Sequence, residues 1–249
     1  MRIETGPPDK RLFAYKEIFM KLEKLTDRIF FCPHETSSDR PMLAYIRGDK
    51  FALAVDAGYS ERHTRAFYDA LRAYNLQAPD FTALTHWHFD HTLGMCAAAG
   101  LTVASEKTAA YLKTAQKNFL SPSFTERLRR EDKYFAMEYA DSEPCVSLPD
   151  ICFHTKMQID LGGITAKLFC TVSPHTDDST CIYIPQENTL FLGDSACEDV
   201  YNGEYLDKVK LRMLMGTIQN IPCRLCVLSH EPPLRKDELL ASLDRDLNA

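Results

Sequence analysis

The chain has no apolar run approaching the roughly 20 residues that a membrane-spanning helix needs. Its opening stretch, Met1-Arg2-Ile3-Glu4-Thr5-Gly6-Pro7-Pro8-Asp9-Lys10, has no apolar core of the kind a secretory leader carries, so a cytoplasmic protein with no membrane partner is expected. An excess of basic charge is also missing. Lys plus Arg is 29 against 35 for Asp plus Glu, a net charge of −6. Neutralising a phosphate backbone calls for a basic face, so nucleic acid is disfavoured as the main partner. Arg127, Arg129 and Arg130 form one small basic cluster that reads as a solvated helix face. Short-period repeats and low-complexity stretches are absent. Cysteine is not scarce, but the count of nine is odd, and without a leader these thiols read as reduced. Cys223-Arg224-Leu225-Cys226 has redox or zinc-pair spacing; it has no second pair and runs into an apolar strand, which favours packing.

At 249 residues the chain can bury a large core as one domain or two tightly joined halves. Strands are expected at Ile29–Cys32, Met42–Arg47 and Phe51–Asp56, with a hairpin turn at Arg47-Gly48-Asp49-Lys50. The periodicity predicts a helix over 60–76, capped by Ser60, with Phe67, Leu71 and Tyr74 on one face. Further strands are expected at Phe81–Thr85, Leu101–Ala104, Ile164–Val172, Thr180–Ile184, Thr189–Leu192 and Arg224–Leu228. Helices are expected at Leu93–Ala99, Glu204–Ile221 and Arg235–Leu247. Between Glu106 and about Glu138 the pattern is helical and aromatic, with Ser121-Pro122 breaking it into two helices. Two strand-rich halves, each with helices, fit two sheets packed face to face between helical layers.

The most informative stretch is His86-Trp87-His88-Phe89-Asp90-His91, at the end of a buried strand. Residues two apart in extended chain point to one side, so His86 and His88 can converge on one metal. Asp90 and His91 fall where the chain turns, and so serve a second position. Imidazoles at a buried strand end are costly unless paired or metallated.

This hexapeptide resembles the His-x-His-x-Asp-His signature of the metallo-β-lactamase superfamily. Val55-Asp56-Ala57-Gly58, His175, Phe191-Leu192-Gly193-Asp194 and Leu228-Ser229-His230 resemble that family's remaining parts in order, from about Lys21 onward. The resemblance implies an α/β (α+β) fold, a four-layer αββα sandwich, with residues 106–145 as a helical insertion and candidate lid. Residues 1–19 fall outside the pattern and read as an extension, with Met20 an alternative start. It implies that His86, His88 and His175 hold one metal, that Asp90, His91 and His230 hold another, and that Asp194 bridges them. Asp56 would orient a ligand or a nearby loop. Cys197 would serve as a packing or orienting residue. At the His175 turn, Asp177-Asp178 replaces the usual family sequence and would add negative charge near the site.

The implied cofactors are two divalent ions; mixed nitrogen and oxygen ligation suits zinc, with iron or manganese as alternatives. The implied chemistry is hydrolysis by a hydroxide shared between the ions, with Asp90 orienting it or moving its proton. Metallo-β-lactamases place Cys or Ser at the bridging position, so Asp194 disfavours β-lactams. His88 disfavours the flavodiiron branch, which carries Glu there, and a glyoxalase II-type substrate domain is not expected after His230. The expected activity is hydrolysis of a small-molecule ester, thioester or lactone. The alternatives are a phosphodiesterase on a small nucleotide and a non-enzymatic metal-binding member of the fold. Tyr201 and Tyr205 lie farther from Asp194 than the lactonase pattern places its tyrosine. The expected partners are a small-molecule substrate and, as an alternative state, a second copy of the chain in a homo-oligomer.

Overall fold

The computed structural model describes residues 20–200, 203 and 205–248; the extension over residues 1–19 and Tyr201 lie outside them. The first sheet runs in chain order through β1 (Glu23–Lys24), β2 (Ile29–Cys32), β3 (Leu43–Arg47), β4 (Ala52–Val55), β5 (Phe81–Ala83), β6 (Leu101–Ser105) and β7 (Ile151–Phe153). The second comprises β8 (Lys156–Asp160), β9 (Thr165–Cys170), β10 (Thr180–Ile184), β11 (Thr189–Gly193), β12 (Leu225–Leu228) and β13 (Leu234–Arg235), ordered β13-β12-β11-β10-β9-β8. The helices are α1 (Glu61–Ala73), α2 (Phe89–Thr92), α3 (Glu106–Phe119), α4 (Pro122–Glu131), α5 (Lys133–Glu138), α6 (Lys208–Asn220) and α7 (Lys236–Asn248). Among the described residues no helix is long and apolar enough to cross a membrane.

Strand alternation sorts the apolar side chains into layers. Ile29, Phe31, Leu53 and Val55 meet Leu168, Ile182, Ile184 and Phe191 between the sheets. Their strand neighbours Phe30, Cys32, Ala52 and Ala54 face outward against Phe67, Tyr68 and Leu71 of α1. On the far side, Cys181, Leu190, Leu192 and Cys226 pack against Leu211 and Leu214 of α6 and Leu239 and Leu243 of α7. Strands covered on both faces read as continuous apolar runs, which is why they stood out in the sequence. The resulting order is helix, sheet, sheet, helix: the αββα sandwich.

Several local expectations need correction. Ser60 caps α1, its hydroxyl accepting from the His63 amide, but Tyr74 leaves the apolar face as the helix C-cap and is exposed. The aromatic segment forms three helices. After the break at Pro122, Asp132 ends α4 and caps α5, accepting from the amides of Tyr134 and Phe135. The cysteines are not all reduced. Cys96, in the 3₁₀ turn after α2, and Cys145, after α5, form a disulfide 49 residues apart in sequence. Disulfides persist chiefly in oxidising compartments, so this pair removes the cysteine-based support for a cytoplasmic location.

Strands β4, β5, β6 and β7 are mutually parallel, as are β11 and β12. Open α/β sheets place ligands beyond the carboxyl ends of such strands. Asp56 follows β4, the hexapeptide follows β5, and His175 lies in the turn between β9 and β10. Asp194 follows β11 and His230 follows β12.

Candidate metal centre

The hexapeptide is fixed from behind by one carboxylate. Asp56 adopts a left-handed backbone, φ 62°. Its Oδ1 accepts from the Thr85 amide at 2.7 Å, and its Oδ2 accepts from the Thr85 hydroxyl at 2.9 Å and from His91 Nδ1–H at 2.9 Å. Donating Nδ1–H leaves His91 Nε2 as the free lone pair. The same Thr85 hydroxyl lies 3.1 Å from His86 Nδ1. Having given its proton to Asp56, that hydroxyl accepts from His86, so His86 also presents Nε2 as a lone pair. One acid thereby sets the tautomers of two imidazoles, the kind of orientation that metal-bound histidines need. The two sheets close over this point: Thr180 donates its amide to the Thr85 carbonyl at 2.7 Å. Gly193, φ 58°, lies so close that an added Cβ would stand 2.6 Å from Thr85 Cβ.

Two groups of donors result. His86, His88 and His175 present ligand atoms within 4.8 Å of one another, as do Asp90, His91, Asp194 and His230. His88 begins α2 as its N-cap, and Asp90 and His91 lie in that helical turn, the His91 ring 4.1 Å from the His86 ring, so the two groups adjoin. His175 Nδ1 donates to the Glu198 carbonyl at 2.6 Å, leaving Nε2 to face His88 Nδ1 at 2.9 Å. Nitrogens that share one tetrahedral zinc at about 2.0–2.1 Å sit roughly 3.3 Å apart, so this spacing needs little change to admit an ion. Asp194 Oδ2 is 3.3 Å from both His91 Nε2 and His230 Nε2, and 3.8 Å from His175 Nε2. Asp90 Oδ2 is 3.2 Å from the Nε2 atoms of His91 and His230.

The electrostatics of the two groups differ. Burial, with His91 and His88 nearby, holds His86 well below the usual histidine range; burial and then His175 bring His88 down to about 3. These rings stay neutral, as ligands must. Burial would also lower His230, but the carboxylates of Asp194, Asp39 and Asp90 outweigh it and push it up to about 12. The Asp90, Asp194 and Asp56 carboxylates similarly override burial to raise His91. Burial would raise Asp90 and Asp194, yet His91 and His230 hold both well below the carboxylate range. This half of the site is anionic and binds positive charge, as protons or as a metal.

A metal fits the residues present. Among the buried side-chain atoms with no hydrogen-bond partner among the described residues are His86 Nε2 and Asp194 Oδ1, while His91 Nε2 faces the Asp90 and Asp194 carboxylates and is satisfied only by a proton or a metal. Each such atom costs about 1–3 kcal/mol unless something is bound to it. The set of imidazole and carboxylate donors suits zinc, iron or manganese.

Other expectations fare differently. Asp177 and Asp178 do not face the donors. Asp177 accepts from Lys107 and from the Tyr111 hydroxyl of α3, and Asp178 is buried between the hydroxyls of Thr108 and Thr176. Burial raises Asp178 to about 6. Both acids tie the His175 turn to α3. Tyr205 is 64% exposed, its carbonyl accepting from the Asp199 amide. Cys223 and Cys226 are free thiols, 3.8 Å apart between sulfurs. Sequence reasoning missed His34 and Asp39, which gather with His230 as a third group of donors. It also missed the buried Arg40–Glu138 pair. Only the position of His34 just beyond β2 hinted at the former.

The insertion packs directly on the site. Phe135 and Tyr139 are buried with Tyr59, Phe89 and Leu93, and Trp87, Phe119, Phe124 and Tyr134 pack on them partly buried. Trp87 stacks on Tyr111 of α3 at 5.4 Å.

An αββα sandwich with two facing groups of histidine and carboxylate donors at its strand ends defines a class of metal-dependent hydrolase folds. The family model described as the metallo-beta-lactamase superfamily matches residues 43–201, and the chain belongs to that superfamily. It resembles a metallo-beta-lactamase from Pontibacter korlensis with a TM-score of 0.67 at 20% identity, over 92% of this chain and 98% of that one. The DIM-1 metallo-beta-lactamase gives 0.64 at 17% identity, over 93% and 98%. The stereoselective inverting sec-alkylsulfatase Pisa1 from Pseudomonas sp. gives 0.69 at 12% identity, over 92% of this chain but 41% of its own. At these identities the likeness shows the fold. No curated protein matches the chain by sequence.

Proposed function

We propose that the protein is a hydrolase using two divalent cations, zinc before iron or manganese, on a small-molecule ester, thioester or lactone. Asp194 carries this reading: a single carboxylate oxygen lies 3.3 Å from two imidazoles of one donor group and 3.8 Å from His175 of the other. His86, His88 and His175 would hold the first ion, Asp90, His91 and His230 the second, and Asp194 both. Ions held there supply Lewis acidity, lowering the pKa of a water to about 7 and opposing charge that grows on the attacked centre. Asp56 and Thr85 keep the ring nitrogens aimed, so little reorganisation accompanies reaction. Asp90 is 23% exposed at its side chain, the same as His230 and more than Asp194, so it can meet a water and accept its proton. Trp87, Tyr111 and the insertion helices α3–α5 form an aromatic wall beside the donors and act as a pocket side or lid. Asp194 in place of a thiol or hydroxyl argues against a β-lactam substrate. The cytoplasm remains the proposed compartment, with the Cys96–Cys145 bond as the observation against it.

Protein loaded with zinc or with manganese is assayed on a thioester, a lactone, a carboxylic ester, bis-p-nitrophenyl phosphate and a β-lactam. Turnover of one of the first three, lost on His88→Ala, supports the reading. Turnover of the phosphodiester alone selects the nucleotide reading instead. Clearly less than one metal per chain, with no turnover and no effect of His88→Ala, identifies a non-enzymatic binding member.

A further inference from the structure

His230 is approached from both sides of its ring. Its Nε2 faces Asp90 and Asp194, while its Nδ1 lies 3.4 Å from Asp39 Oδ1. Asp39 belongs to the connection between β2 and β3, in the first sheet, whereas His230 follows β12 in the second. We infer that Asp39 is a positioning residue for His230, accepting its Nδ1–H so that Nε2 is held toward the second cation position.

A neutral imidazole carries one N–H. With Nε2 serving as a ligand, the proton resides on Nδ1, and Asp39 is the carboxylate beside it. Metal-bound histidines ordinarily pass that N–H to a carboxylate or carbonyl, which fixes the ring and raises its basicity. His91 receives this from Asp56 and His175 from the Glu198 carbonyl. Asp39 completes the pattern for His230.

The connection is built to hold this acid in place. Asp39 sits at φ 54°, a left-handed conformation that Asp tolerates better than most residues. The turn is closed by the Glu35 amide donating to the Arg40 carbonyl at 3.0 Å, and His34 Nδ1 donates to the same carbonyl at 2.9 Å. The His34 ring then meets the His230 ring edge-on, centroids 4.9 Å apart. Arg40 is locked by Glu138 of the insertion, and the Met42 amide donates to the Ser229 carbonyl, next to His230, at 2.7 Å.

The inference rests on the two-cation reading, and one experiment separates them. Apoprotein is titrated with zinc against a chromophoric chelator, and with cobalt while its visible absorption is followed. The wild type takes up two equivalents. Asp39→Ala is expected to bind the second equivalent about 10–100-fold more weakly, with the first unchanged, and to alter the cobalt spectrum of the second step only. Asp39→Asn keeps an acceptor oxygen and the backbone preference, and is expected to recover part of the loss. Should Asp39→Ala fail to fold, Asp39→Gly removes the carboxylate with no penalty at positive φ. Two equivalents in the wild type, with Asp39→Ala unchanged, overturn the role of Asp39 alone. Equal weakening of both equivalents, together with a lower melting temperature of the apoprotein, makes Asp39 merely structural and likewise overturns it. A single equivalent in the wild type overturns the two-cation reading and this inference with it.

Discussion

Replacing Glu138 by Ala isolates a charge that the fold cannot hydrate. The Glu138 side chain is 2% exposed and that of Arg40 is 7% exposed. Glu138 Oε2 accepts from Arg40 Nε at 3.0 Å and from Arg40 Nη2 at 2.7 Å, while Oε1 accepts from the Ser60 hydroxyl. One carboxylate therefore joins the β2–β3 connection, the start of α1 and the insertion helix α5. Without it, Arg40 keeps only Glu35, at 3.1 Å and half exposed. Removing one partner of a buried pair costs about 3–5 kcal/mol, most of it the uncompensated charge left behind. For a domain this size each kcal/mol moves the melting temperature by about 2–4 °C, so a fall of roughly 6–20 °C is expected. Glu35→Ala, a more exposed partner, should cost no more than about 1 kcal/mol. The double change Arg40→Met with Glu138→Leu removes both charges and should recover most of the loss. Urea unfolding of the apoprotein at pH 7.5, followed by circular dichroism, measures all four proteins. A loss below about 1 kcal/mol for Glu138→Ala, or a double variant no better than the single one, refutes the reasoning.

Further outcomes follow from the same structure. Asp194→Asn preserves shape but removes charge from between the two donor groups; metal affinity should fall by more than the about 10–100-fold that loss of a ligand's outer partner costs, read by chelator competition. His63 is fully buried, and burial lowers it to about 3 from 6.5. Its folded pKa lies below its unfolded one, so it adds stability above pH 6.5 that is lost as pH falls toward 3, with a slope of about 1.4 kcal/mol per pH unit. His63→Gln should flatten the apoprotein's acid stability profile by that one-proton slope, and an unchanged profile contradicts the assignment. Opening the Cys96–Cys145 bond by changing both to Ser frees a 49-residue loop enclosing α3–α5. Chain entropy puts the cost near 4 kcal/mol, and a calorimetric loss under about 1 kcal/mol would show that the insertion holds without it.

Much of the architecture could be read from the chain because its central strands are covered on both faces. Ile29–Cys32 and Thr180–Ile184 are apolar runs whose limits the sequence already defined. β7 and β8 were not read: the first is three residues long, and in the second Lys156, Gln158 and Asp160 alternate with Met157 and Ile159 at a sheet edge. The break at Asp132 escaped notice because it is a capping acid and not a proline. The hexapeptide was legible because its donors are local, two apart in a strand and then one turn into a helix. What surrounds it was not. Asp39 beside His230, Glu138 beside Arg40 and Cys96 bonded to Cys145 each join residues 49 or more apart in sequence, and no local pattern marks either partner.

Anomalous diffraction from a zinc-soaked crystal tests the centre most directly. Two peaks should appear on either side of the Asp194 carboxylate, one within about 2.0–2.2 Å of ligand atoms from His86, His88 and His175, the other at like distance from Asp90, His91 and His230. A lone peak remote from Asp194, or none at any zinc concentration that leaves the crystal intact, would contradict the dinuclear site.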